Sequence, residues 1–296
     1  MNKIFSSKFW IHFLAAVVVL IWGCTFINSK LLLNHGMEAH EIYALRFLFA
    51  YVCILFISPR KLWSESWQDE LRMFVLGITG GTLYFITENE AVRIGYVNNV
   101  SFIVCTAPMV TTLLALIFIK EVKATRNLVV GTILATLGVG FVIFNGHFVL
   151  NLNPLGDMLA LCACLCWAIY SILLKNVSEK YSAVFITRKV FFYGLVTVLP
   201  VFIFSPWHFS LISFMRPVVW GNLLFLGFVA SFMCFVLWSW VSKQLGALVA
   251  SNYIYLNPIS TVVFSAIFLG ETMTPMAFIG SSMILFGVYL SNKPKG

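Results

Sequence analysis

The sequence predicts an all-α membrane protein of ten transmembrane helices, arranged as two inverted five-helix repeats. Three observations carry that expectation. Of the 296 residues, 60% are hydrophobic and 10% are charged, with a mean hydropathy of +0.94; soluble chains carry roughly 25% charged residues. The apolar residues also fall in blocks long enough to cross hydrocarbon, which takes about 20 residues as helix. Finally, unusual residues recur at an offset near 150.

The blocks cover residues 9–29, 40–58, 72–91, 97–119, 127–145, 156–174, 184–205, 218–240, 247–269 and 275–291. The first, from Phe9 to Asn28, is longer than a signal-peptide core and runs into Asn28-Ser29-Lys30 without a small-residue cleavage site. It is expected to stay as a span. Between the second and third blocks, Pro59 to Leu71 holds Trp63 and Trp67 among charges, the composition of a segment at the lipid-water interface. Lys and Arg set orientation, because short loops rich in them stay cytoplasmic. With the N-terminus inside, fifteen of the nineteen basic residues lie on the inner side, Lys30, Arg93 and Arg216 lie outside, and Arg46 falls within the second span. Both termini are therefore expected in the cytoplasm, with the chain in the inner (plasma) membrane. The formal charge of +8 is spread over block ends, which argues against a nucleic-acid surface. All seven cysteines lie inside apolar blocks and read as packing residues; Cys162, Cys164 and Cys166 have no His or acidic neighbour to complete a metal set.

The repeat shows first in spacing. Trp22 and Lys30 are eight apart, as are Trp167 and Lys175. Gly95, Pro108, Glu121, Gly131 and Gly138 follow one another at intervals of 13, 13, 10 and 7; Gly246, Pro258, Glu271, Gly280 and Gly287 do so at 12, 13, 9 and 7. Five spans per copy is an odd number, so the second copy enters the membrane from the opposite face. Inverted repeats suit a transporter, whose halves exchange conformations around a midplane site. A duplicated scaffold is the other reading.

The same residues carry a family resemblance. Trp22-Gly23-Cys24-Thr25-Phe26, Arg46-Phe47, Pro108 with Lys120-Glu121, and Pro258 with Gly270-Glu271-Thr272 resemble the EamA family of the drug/metabolite transporter superfamily. One EamA-like unit covers residues 1–146 and a second covers 153–291. The first unit has lysine before its glutamate, and Trp167-Ala168 stands where the first unit has Trp-Gly. The resemblance implies a ten-helix bundle with cytoplasmic termini and a central cavity. It implies a secondary transporter of small metabolites, often amino acids, read here as an exporter working by alternating access. A passive channel or a non-transport membrane scaffold is the alternative.

Several residues are candidates for that work. Mid-span prolines free a backbone carbonyl, so Pro108 and Pro258 are expected as kinks or hinges beside the cavity, or as packing features only. Ionisable groups inside spans cost roughly 2.5–3.5 kcal/mol at the centre on insertion scales. Arg46 and Glu88 both reach the outer half of the bilayer. They are expected to pair, or to face the cavity with Arg46 drawing a substrate carboxylate and Glu88 an amine or a coupling proton; a static ion pair is the rival. In the polar ninth block, Tyr253, Asn257 and Ser260 share a face at helical spacing and are expected to bond a solute or a neighbouring helix. Trp22, Tyr84, Trp167, Tyr170 and Trp238 are candidate aromatic walls. Gly131, Gly138, Gly140, Gly280 and Gly287 mark close-packing helices within the chain or between protomers of a homodimer. The five histidines lie at span ends or in loops, and no phosphate-binding glycine loop with lysine occurs, which disfavours an intramembrane enzyme. The expected partners are a small-molecule substrate and the bilayer, with no cofactor.

Overall fold

The computed structural model of the chain describes residues 8–58, 61–95, 97–119, 122–144, 153–260, 263 and 274–293. Lys120, Glu121, Thr261, Gly270, Glu271 and Thr272 lie outside the described residues, as does most of the ninth block beyond Ser260. Among the described residues all regular structure is helical. Seven helical runs among the described residues are long and apolar enough to cross a membrane, and Pro275–Ser291 is a shorter apolar helix.

The first half holds α1 (Lys8–Asn34), α2 (Ala39–Ile57), α3 (Trp67–Gly77), α4 (Leu83–Ile94), α5 (Val97–Cys105), α6 (Ala107–Phe118) and α7 (Arg126–Phe144). The second holds α8 (Pro154–Ser178), α9 (Ala183–Val198), α10 (Val201–Phe204), α11 (Pro217–Leu224), α12 (Cys234–Leu245), α13 (Ala247–Asn252) and α14 (Pro275–Ser291). Starts follow local chemistry: Ser66, Asn153, Ser182 and Thr274 accept a backbone N–H of the first turn of α3, α8, α9 and α14, satisfying a donor that the helix cannot. Prolines 154, 217 and 275 stand in the first turn of their helices, where no N–H is needed.

Among the described residues, two spans contain π-helical winding. α3 and α4 are joined by a π-helical turn, Ile78–Thr82, and α11 and α12 by a π-helical stretch, Phe225–Met233. The two stand about 150 residues apart in the chain, the same offset as the repeat. Thr82 fastens its turn by hydrogen bonds with Tyr43 Oη (3.2 Å), Thr197 Oγ1 (2.6 Å) and the Gly194 carbonyl (2.9 Å).

The fourth block also departs from a simple kink. The helix stops at Cys105, Thr106 turns out of helical geometry (φ −83°, ψ 0°), and α6 restarts with Pro108 in its first turn. A proline without an N–H suits a helix start better than a helix middle, so the block splits into two helices instead of bending as one.

Aromatic residues related by the repeat offset meet in the core: Trp22 with Trp167 (ring centroids 5.4 Å), Phe47 with Phe191 (4.9 Å) and Phe85 with Phe235 (6.4 Å). α7 packs on α14 through glycines of the same chain. A Cβ on Gly138 would stand 2.7 Å from the Gly280 carbonyl oxygen, and one on Gly131 2.6 Å from that of Gly287. Backbones approach this closely only where both sides lack side chains.

Candidate functional site

Between these helices lies a cavity of about 510 Å³ of atom-free space, counting what opens at its mouth. Its walls come from α1 (Trp22, Thr25, Phe26), α2 (Arg46), α4 (Tyr84, Phe85, Glu88) and α8 (Trp167). Val104 and Ala107, on either side of the Thr106 break, complete it with Phe235, Ile254 and Asn257. The break is held by the Thr106 hydroxyl, which donates to the Ile103 carbonyl at 2.6 Å.

Arg46 lies seven residues past the start of α2, about 10 Å along the helix. It is 3% exposed. Its Nε donates to Ser231 Oγ at 2.9 Å, and its guanidinium carbon stands 4.4 Å from the centroid of the Phe85 ring. Among the described residues, its two terminal nitrogens take no hydrogen bond. Glu88, likewise buried, accepts the Tyr84 hydroxyl at 2.7 Å. No ion pair within 4.0 Å joins Arg46 to Glu88 among the described residues; both are cavity walls, each bonded to a neutral hydroxyl. A cavity with a guanidinium fork, a carboxylate and apolar rings can hold a small zwitterion at two points and cover its side chain.

Trp22 donates its indole N–H to the Ala230 carbonyl at 2.9 Å, inside the second π-helical stretch. Trp167, its mate in the repeat, has a buried indole nitrogen with no hydrogen-bond partner among the described residues. The other aromatic candidates stand back from the cavity. Tyr170 and Trp238 are fully buried behind the wall, 5.2 Å from Trp167 and 5.1 Å from Trp22 respectively. Tyr253 is directed elsewhere, its hydroxyl 2.6 Å from His12 Nδ1. A 3₁₀ turn over Tyr253–Leu256 changes the angular step per residue, so Tyr253 and Asn257 do not share the face that α-helical spacing assigns them. Ser260 donates to the Asn257 carbonyl at 2.8 Å and packs on Gly23, where a Cβ would sit 2.8 Å from that same carbonyl oxygen. Pro258 lies just beyond the 3₁₀ turn, so like Pro108 it follows a break in the helix.

The model of the EamA-like transporter family matches residues 9–144 and again residues 154–293. The chain belongs to this family. Its relatives include a probable amino-acid metabolite efflux pump of Salmonella typhimurium, 27% identical over 290 residues, spanning 94% of this chain and 93% of that protein. An uncharacterized transporter of Archaeoglobus fulgidus is 26% identical over 290 residues, 95% and 96% of the two chains. A crystal structure matches with a TM-score of 0.75 at 13% identity, over 96% of each chain; at that identity the likeness is one of fold. The EamA-like chain is thus a multi-pass membrane transporter.

This transporter also carries a charged cluster where α3 and α9 begin. Asp69 binds Arg72 (2.7 Å), Lys180 (3.3 Å) and the Tyr181 hydroxyl (3.1 Å). Glu70 accepts from Lys189, Tyr193 and the Ser64 N–H. Arg188 donates to Ser58 Oγ and to the Lys61 carbonyl. The first half is so tied to the second across more than a hundred residues of chain. Glu70 lies ahead of the apolar stretch of its span. Burial alone would raise its carboxyl, but the bonds from Lys189, Tyr193 and Ser64 outweigh burial and hold it at about 2. Because the folded value lies below the usual 4.5, this contribution is complete above that pH and is lost as pH falls toward 2. Glu70→Gln is expected to flatten the pH dependence of thermal unfolding over that window. It also leaves Lys189 buried without its counter-charge, at a cost of about 3–5 kcal/mol; an unchanged melting temperature at neutral pH would refute the pairing.

Proposed function

We propose that this EamA-like transporter is a secondary exporter of small metabolites such as amino acids. It works by alternating access between two inverted five-helix halves, residues 1–146 and 153–291, in the plasma membrane with both termini cytoplasmic. Arg46 binds the substrate carboxylate, and Glu88 with Tyr84 binds its amine or carries a coupling proton. Trp22 and Trp167 cover the side chain, while Asn257 adds a hydrogen bond beside the Pro258 break. Pro108 and Pro258 act as hinges. The observation that carries the reading is Arg46, buried to 3% exposure at a cavity wall with its terminal nitrogens bonded to no described protein group. A buried cation in a membrane needs a partner, and a carboxylate fits its planar fork. The Salmonella relative's description as an amino-acid metabolite efflux pump and the repeat-related contacts of Trp22 with Trp167 and of α7 with α14 support the same reading.

The test is counterflow. Proteoliposomes loaded with unlabelled L-amino acids, with and without an imposed proton gradient, should take up labelled amino acid transiently and saturably. Flux that rises with concentration without saturating would mean a channel, and no flux with any amino acid would remove the substrate class.

A further inference from the structure

Ser231 lies within the π-helical stretch Phe225–Met233 and is fully buried. It is absent from the cavity wall; its Oγ instead takes the Nε–H of Arg46 at 2.9 Å. The residue before it is anchored in turn, because the Ala230 carbonyl accepts the Trp22 indole N–H at 2.9 Å. On the other side, the guanidinium stands over the Phe85 ring at 4.4 Å. A guanidinium is planar and presents its five N–H groups in a rigid fork. Holding Nε at one edge and the face against a ring leaves a single orientation for the two terminal nitrogens.

We propose that Ser231 is a positioning residue for transport: it aims the fork of Arg46 so that a solute carboxylate meets two parallel hydrogen bonds instead of one. This rests on Arg46 being the carboxylate-binding group. Ser231 thereby sets specificity, because a carboxylate offers two equivalent oxygens in the plane of the fork, whereas a carboxamide offers one acceptor and turns N–H donors toward a cation. The π-helical geometry matters to the placement, since this wide turn carries both the hydroxyl that Arg46 uses and the carbonyl that Trp22 uses.

The test compares a mixture of the proteinogenic L-amino acids with a mixture of their α-carboxamides, as competitors of labelled amino-acid counterflow by the full-length protein in proteoliposomes. Wild type should prefer the acids. Ser231→Ala should weaken that preference about 10- to 100-fold, the worth of one charge-assisted bond, by raising the half-saturating concentration of the acids with the maximal rate retained. Ser231→Thr, which keeps the hydroxyl, should restore the preference. In an Arg46→Lys background, which lacks Nε and the fork, Ser231→Ala should change nothing further. If the alanine protein does not fold, Ser231→Cys serves with the same expectation, its sulfur being a weak acceptor. Full acid preference in Ser231→Ala or Ser231→Cys overturns the positioning role alone. A wild type indifferent to acid or amide overturns the carboxylate reading of Arg46, and this inference falls with it.

Discussion

Arg46→Gln protein, inserted in the membrane at normal levels, is expected to lose transport of carboxylate solutes by at least about 100-fold in the ratio of maximal rate to half-saturating concentration. The size follows from the contacts at stake. A hydrogen bond to a charged group contributes about 1.5–3 kcal/mol, and two terminal nitrogens stand ready to give two. Glutamine is uncharged, shorter and not forked, so it supplies neither the geometry nor the field. The rival assignment, a static ion pair with Glu88, makes a different forecast: transport continues with full specificity and only stability changes. The structure favours the first, because no ion pair within 4.0 Å links the two among the described residues and each has its own hydroxyl partner, Ser231 for Arg46 and Tyr84 for Glu88. Unimpaired, specific transport by Arg46→Gln would take the arginine out of the site.

The second large effect is structural. Gly138→Val should prevent α7 and α14 from packing, because even its Cβ would lie 2.7 Å from the Gly280 carbonyl oxygen and 2.9 Å from the Ile284 nitrogen. Both are backbone atoms that cannot swing aside, and overpacking costs typically 1–3 kcal/mol even where side chains can yield. Size-exclusion of the detergent-solubilised protein should show loss of the monodisperse species and a lower melting temperature. Gly140→Ala is the control: the nearest atom to its Cβ is the Phe102 ring at 3.5 Å, an ordinary contact, and stability should be unchanged. A Gly138→Val protein as stable as wild type would show that the two backbones do not approach as described.

How much of this was readable beforehand depended on what each residue type advertises. Glycines and prolines at matched intervals disclosed the duplication, because each constrains backbone whatever surrounds it. Arg46 and Glu88 drew attention as charges in apolar runs, and both line the cavity. Phe85, Val104 and Phe235 line it too, yet nothing marks them, since in a membrane span apolar residues face lipid and interior alike. Ser231 offered one faint clue as a lone hydroxyl in Phe-Leu-Gly-Phe-Val-Ala-Ser-Phe-Met. The π-helical segments and the 3₁₀ turn have no compositional signature, and they decide where Ser231, Trp238 and Tyr253 end up. The cluster of Asp69 and Glu70 with Lys180 and Lys189 was hidden differently. Its members lie at span ends, where charges are read as markers of sidedness, and they come together only through the packing of α3 on α9.

The wide turn between α11 and α12 also fixes the phase of everything after it. A helix advances about 100° per residue, so α12 shows the interior its Phe235 and Trp238 edge only because Phe225–Met233 is wound as it is. Losing a single residue from that stretch would let it close into ordinary α winding with α12 facing much as before, and the broad coil that presents the Ser231 hydroxyl to Arg46 and the Ala230 carbonyl to Trp22 would vanish.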